Sequence, residues 1–174
     1  MAVCNLSELP KLLKKGACLL GLDPGSTVIG VAISDPGLRV ASPLTQIARK
    51  KFAGDAAALL RIIAERNVGG LVIGLPKNMD GSEGPSAQAA KAFARNLERF
   101  LNERNANLEN VHPRAGGDPF LQSIPIAFWD ERLSSSAVER FMVEDDMSRK
   151  RRDAVIDKAA AAYILQGALD SLPR

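Results

Sequence analysis

LGLDPGSTVIGVAISD, residues Leu20–Asp35, reads as two apolar runs around a turn. The first run, Ala17–Asp23 (ACLLGLD), closes on Pro24-Gly25; the second, Val28–Ser34 (VIGVAIS), is rich in β-branched residues. Branched side chains pack well on a pleated surface and Pro-Gly suits a chain reversal, so the stretch predicts a β-hairpin. After Asp35-Pro36-Gly37 a third strand is expected over Val40–Ile47, which gives three consecutive strands.

The pattern changes from Phe52. Leu59, Leu60, Ile62 and Ile63 recur at helical spacing up to Arg66, Gly69-Gly70 is expected to stop the helix, and Leu71–Leu75 is a continuous apolar run. The same unit repeats as a long helix over Pro85–Asn105 and an apolar strand over Ile124–Trp129. Alternation of strand and helix predicts parallel pairing through right-handed crossovers. Between them, residues 108–123 hold Pro113, Gly116, Gly117 and Pro119 with no period, which predicts an inserted loop with His112 as a solvated loop residue. Ser134–Val143 is expected as a short helix and Asp153–Leu169 as the last one. The expected order is βββαβαβαα, an α/β fold with a mixed five-stranded sheet flanked by helices. One domain over residues 1–174 is expected, with an N-terminal extension over 1–16.

Composition bounds the function. With 46% apolar and 25% charged residues the chain is that of an ordinary globular protein. The net charge of +3 is modest, but Arg149, Lys150, Arg151 and Arg152 are consecutive, so the basic excess is local. Cys4 and Cys18 have no metal-binding spacing, which fits a reducing cytoplasm. The longest apolar stretch is too short to span a bilayer, so no membrane association is expected. No GxGxxG or GxxxxGK[ST] motif occurs, which disfavours dinucleotide binding and P-loop hydrolysis.

In an open α/β sheet, ligands bind beyond the carboxyl ends of the parallel strands, so acids at such ends carry the chemistry. Asp23 ends the first strand; Asp130 and Glu131 end the last, before Arg132. Asp157 enters the last helix on one stripe with Ala160, Ala161, Ile164 and Ala168, with Asp153 as the alternative. Each has an ordinary reading too: Asp23 as a turn residue, Asp130 and Glu131 as helix-entry charges, Asp157 as a dipole partner. Two carboxylates about 4–6 Å apart would repel by roughly 3–4 kcal/mol at an effective dielectric near 20. Such a cluster requires cations, and two Mg²⁺ or Mn²⁺ ions would supply them and support an in-line displacement at phosphorus.

Four blocks in this order resemble the YqgF family of ribonuclease H-like proteins, also called RuvC-like or RuvX. They are Leu20–Asp35, VIGLPKNMDGSEGPSA (Val72–Ala87), WDERLSSSAVE (Trp129–Glu139) and DKAAAAYILQ (Asp157–Gln166). The resemblance implies a ribonuclease H-like fold and a metal-dependent nuclease that matures the 5′ end of 16S ribosomal RNA, Holliday junction resolution being the older assignment. It implies catalytic roles for Asp23, Asp130, Glu131 and Asp157, with Asp23, Glu131 and Asp157 on metal; which of Asp130 and Glu131 touches metal stays open. The extension before Ala17 and the insertion over 108–123 depart from the family pattern. The insertion, at the amino end of its strand, is expected away from the site.

Phosphate contacts are expected from Lys77 and Asn78 after the Leu71–Leu75 strand, from Arg132 beside the acids, and from Arg149, Lys150, Arg151 and Arg152. The expected partners are a precursor rRNA or branched DNA and the ribosomal small subunit, with the protein a monomer or weak homodimer. Two rivals remain. One is an actin-like or sugar-kinase ATPase, whose phosphate loop resembles Asp23–Thr27 but which needs two such domains. The other is an RNA-binding assembly module without turnover.

Overall fold

A computed structural model describes residues 3–111, 124–130 and 149–173, leaving aside the side chains of 105–111 and 149–158. Three strands come first: β1 (Cys18–Pro24), β2 (Val28–Ser34) and β3 (Ala41–Ala48). A short 3₁₀ turn (Leu6–Glu8) and a one-turn helix, α1 (Leu9–Leu12), precede them. Then follow α2 (Phe52–Glu65), β4 (Val68–Leu75), α3 (Pro85–Val111), β5 (Ile126–Asp130) and α4 (Arg149–Asp170). The sheet order is β3-β2-β1-β4-β5. β1, β2 and β3 pair antiparallel as a meander, and β4 joins β1 and β5 by parallel pairing on both sides. This is the mixed five-stranded sheet that the resemblance to ribonuclease H-like proteins implied.

The pleat divides the core in two. Leu20, Leu22, Leu71, Ile73 and Ile126 point towards α2 and α3, where Leu59, Ile63, Phe93 and Leu97 complete one apolar cluster. Leu19, Val72, Ala127 and Trp129 point to the other face, covered by Ala161, Ile164, Leu165 and Ala168 of α4. α4 lies unusually close there. A Cβ built on Gly21 of β1 would stand 2.6 Å from the Leu165 Cβ and 2.8 Å from the Ala161 carbonyl oxygen.

Several boundaries differ from expectation, each for a local reason. α2 stops at Asn67, which adopts a left-handed φ of 51°, rather than at the two glycines. Gly69 and Gly70 instead lie inside β4, where a Cβ would collide with Ala17, Leu13 and Leu19. That close packing belongs to the N-terminal segment. Leu9 is fully buried, and Val3 and Cys4 bridge to Ile126, covering the free edge of β5. α3 continues to Val111, so the first four residues of the expected loop are helical; β5 is shifted to Ile126–Asp130. α4 begins at Arg149 rather than at Asp153, which makes the basic run the first turn of the helix. Residues 112–123 with His112, and the helix expected over Ser134–Val143, lie outside the described residues.

The turn between β2 and β3 hangs on Asp35, whose carboxylate accepts the N–H of Arg39 (2.6 Å), Val40 (2.8 Å) and Gly37 (3.0 Å). The bonds from Val40 and Arg39, and then from Gly37, hold this carboxyl below its ordinary range.

Two outcomes are expected. Gly21→Ala should cost about 1–3 kcal/mol in urea unfolding, because neither a helix carbonyl nor a buried Cβ can move aside cheaply. Asp35 titrates lower folded than unfolded, so its contribution is complete above about pH 4 and is lost as pH falls through the folded value. Asp35→Asn should therefore flatten the acid limb of a stability-versus-pH curve, and an unchanged limb would count against this role.

Candidate functional site

The carboxyl ends of β1, β4 and β5 form one edge, because all three strands run in the same direction. The β1–β4 register pairs Leu22 with Ile73, and the β4–β5 register pairs Leu75 with Asp130. Asp23 thus stands level with Gly74, and Asp130 one residue further along, two strands away. At ~4.8 Å per strand spacing the two backbones are roughly 10 Å apart. Asp23 is half-buried; the Asp130 side chain is 20% exposed.

Pleat parity separates these two acids. Asp23 follows Leu19 and Gly21, so its position belongs to the α4 face. Asp130 follows Ile126 and Phe128, so its position belongs to the α2–α3 face. Lys77, expected at a phosphate, stands with its Nζ 3.6 Å from Asp130 Oδ2. The backbones of Asp23 and Asp130 therefore stand on one edge, with the two positions on opposite faces of the pleat.

Asn78, the second expected phosphate contact, is engaged within its own loop. Its Nδ2 donates to Ser82 Oγ at 2.8 Å, its N–H to the Ser82 carbonyl at 2.9 Å, and its carbonyl accepts the Gly81 N–H at 2.8 Å. Asp80 accepts the N–H of Ser82 at 2.9 Å, and Gly81 takes a φ of 86°, which closes the loop without strain only because it lacks a Cβ. Met79 protrudes from it, 92% exposed.

On α4 the backbone places position 157 one turn before Ala161, the residue whose carbonyl abuts Gly21. Arg149, Lys150, Arg151 and Arg152 form the start of the same helix. Glu131 and Arg132 lie outside the described residues. Among the described residues no group of three His, Cys, Asp or Glu side chains is arranged to hold a metal ion. The acids within reach offer only oxygen donors, which suits a hard divalent cation such as Mg²⁺ or Mn²⁺ rather than a softer one.

Arg49 and Asp55, near this edge, belong to no motif, and sequence reasoning missed them. Arg49, just after β3, donates from Nη1 to the Gly25 carbonyl at 2.9 Å, and its Nε lies 3.9 Å from Asp55 Oδ2. The only local sign was an aspartate in the first turn of a helix, which ordinarily signifies a dipole partner.

The family described as RuvX, Holliday junction resolvase, matches residues 17–171. A protein of Paracoccus denitrificans named "Putative pre-16S rRNA nuclease" is 53% identical over 169 residues, 97% of this chain and 93% of its own length. One of the same name from Roseobacter denitrificans is 54% identical over 167 residues, covering 96% and 88%. Among solved structures, T. thermophilus RuvC in complex with a Holliday junction substrate aligns with a TM-score of 0.44 at 11% identity, covering 87% of this chain and 92% of that one. No helix among the described residues is long and apolar enough to cross a membrane.

The Lys77–Asp130 pair is partly exposed, so a double-mutant cycle of Lys77→Met and Asp130→Asn, read by urea unfolding, should give a coupling of about 0.2–1 kcal/mol. In 1 M NaCl the coupling should shrink. A coupling of zero at low salt would mean the two side chains do not meet in solution.

Proposed function

The chain belongs to the RuvX family of Holliday junction resolvases, and from that premise we propose that it is a metal-dependent nuclease that cleaves a phosphodiester bond in maturing the 5′ end of precursor 16S rRNA. The observation that carries this reading is the placement of Asp23 and Asp130 at the carboxyl ends of parallel strands, on the edge where such sheets bind ligands. The rRNA substrate is favoured by relatives about half identical along nearly the whole chain, whose name specifies it.

Asp23, Glu131 and Asp157 are the residues we assign to the metal. Asp130 stands on the opposite face of the pleat from Asp23 and is engaged by Lys77, which favours Glu131, its neighbour in the DER motif, for the metal. Asp157 follows from the stripe it shares with Ala161 and Ile164, both packed on the sheet. Divalent ions bound there would activate water and stabilise the leaving oxygen of an in-line displacement.

The protein's own groups do the rest. Asp23 stands on β1 and position 157 on α4, two packed elements, which limits the reorganisation needed in the transition state. Asp130 keeps Lys77 at the rim, where its ammonium can meet a phosphate beside the one being cut. Arg132 is assigned to the scissile phosphate. Arg149, Lys150, Arg151 and Arg152, at the positive end of the α4 dipole, offset the repulsion between the acids and the polyanion. Asn78 acts through the loop it closes. The reading places the protein in the cytoplasm, with the ribosomal small subunit as its partner.

The test is cleavage of a 16S precursor and of a four-way DNA junction in Mg²⁺ or Mn²⁺, with wild type and Asp23→Asn. RNA cleavage that requires metal and falls at least about a hundredfold in the variant is the expected result. Cleavage of the junction alone would move the activity to recombination, and cleavage of neither would leave a binding role in ribosome assembly.

A further inference from the structure

Asp55 is a charged residue only 3% exposed, in the first turn of α2, and nothing assigned to the site so far uses it. Burial of a carboxylate is costly unless it is paired and hydrogen-bonded. One oxygen serves the chain beside it, since Oδ1 accepts the Lys50 N–H at 3.2 Å, just ahead of the helix. The other, Oδ2, faces Arg49.

Arg49 is held from four directions. Its N–H donates to the Thr27 carbonyl at 2.8 Å, extending the β2–β3 ladder by one rung. Its guanidinium lies 5.7 Å from the centre of the Phe93 ring on α3, and Asp55 flanks it from α2. The remaining anchor points at the site: Nη1 bonds the carbonyl of Gly25 at 2.9 Å. Gly25 in turn donates its N–H to the Asp23 carbonyl at 3.0 Å. A Cβ on Gly25 would come within 2.9 Å of the Val28 carbonyl oxygen, so the turn has little room to adopt another shape. Contacts thus run without a break from a buried carboxylate, through one guanidinium, to the backbone that carries Asp23.

We propose that Arg49, oriented by Asp55, is a positioning residue for Asp23, fixing the Asp23–Gly25 turn in the conformation in which the Asp23 carboxylate binds a divalent cation. This rests on the metal-dependent function proposed above. Its role is on the backbone: it removes the freedom that the turn next to a ligand would otherwise lose on binding. An arginine suits the position because a rigid fork can serve a carbonyl and a carboxylate at once, which an ammonium cannot do at that separation.

The test is Mn²⁺ affinity of the full chain, from free Mn²⁺ counted by electron paramagnetic resonance, with thermal unfolding recorded alongside. Arg49→Ala should weaken Mn²⁺ binding about tenfold, and Arg49→Lys less. Adding Asp55→Asn to Arg49→Ala should cost no further affinity, because Asp55 acts through Arg49. Gln166→Ala, which removes bonds to Ala41 and Arg39 at the start of β3, should lower the unfolding temperature and leave the affinity unchanged. Unchanged affinity in Arg49→Ala overturns the proposal, and Arg49→Lys decides the matter in the same way if the alanine variant fails to fold. Affinity that falls in Gln166→Ala in step with stability overturns it as well. Wild type that binds no Mn²⁺ removes metal dependence itself, and the positioning role with it, whereas wild type that binds beside an equally tight Arg49→Ala removes only the positioning role.

Discussion

The absence of a side chain at Gly21 sets how closely α4 can lie on the sheet. With the Leu165 Cβ and the Ala161 carbonyl oxygen inside van der Waals range of where a Cβ would be, the helix rests on β1 backbone rather than on a layer of side chains. A second contact of the same kind steadies it: a Cβ on Gly167 would stand 2.9–3.0 Å from the Trp129 ring. Helix height matters for function because α4 carries position 157 and β1 carries Asp23. A helix lifted by one methyl group would separate these two positions, which are proposed to share a cation.

The pleat imposes the second constraint. Each strand has one row of side chains in the α2–α3 cluster and one in the α4 cluster, so consecutive residues cannot serve the same face. At the ends of β1 and β5 this rule separates Asp23 from Asp130. Asp130 belongs with the α2–α3 row and Lys77, and the α4 row is the one that Asp23 shares. The same partition explains why α3 matters at the site edge without reaching it: Phe93 packs in the α2–α3 cluster, and its ring face supports Arg49.

Much of the remaining structure protects this edge by stiffening what lies behind it. The N-terminal segment pairs with β5 and buries Leu9 against the sheet, so the strand that ends on Asp130 is not an open edge where the bridge forms. Gln166 ties α4 to the start of β3 by bonds to the Ala41 N–H and the Arg39 carbonyl. Burial pushes the Cys18 thiol up, with Asp35 adding to the shift, which leaves this cysteine as a small apolar residue of β1.

Strands, crossover helices and the acids at strand ends were all legible from the order of residues. Those features rest on period, turn chemistry and capping, which involve residues within a few positions of one another, as in Asp23-Pro24-Gly25 or the repeat of Leu59 to Ile63. Local pattern misled at Gly69-Gly70, read as a helix stop, and at the start of the last helix, placed at Asp153. The partners that decide those positions, Leu13 and Ala17 against β4 and the body of α4, come from elsewhere in the fold. Which face Asp130 shares, that Lys77 meets it, and that Arg49 and Asp55 brace the turn beneath Asp23 emerged only from the packed molecule. These depend on strand register and on contacts such as Arg49 with Gly25, 24 residues apart, and no local pattern encodes a distance that only the packed sheet sets.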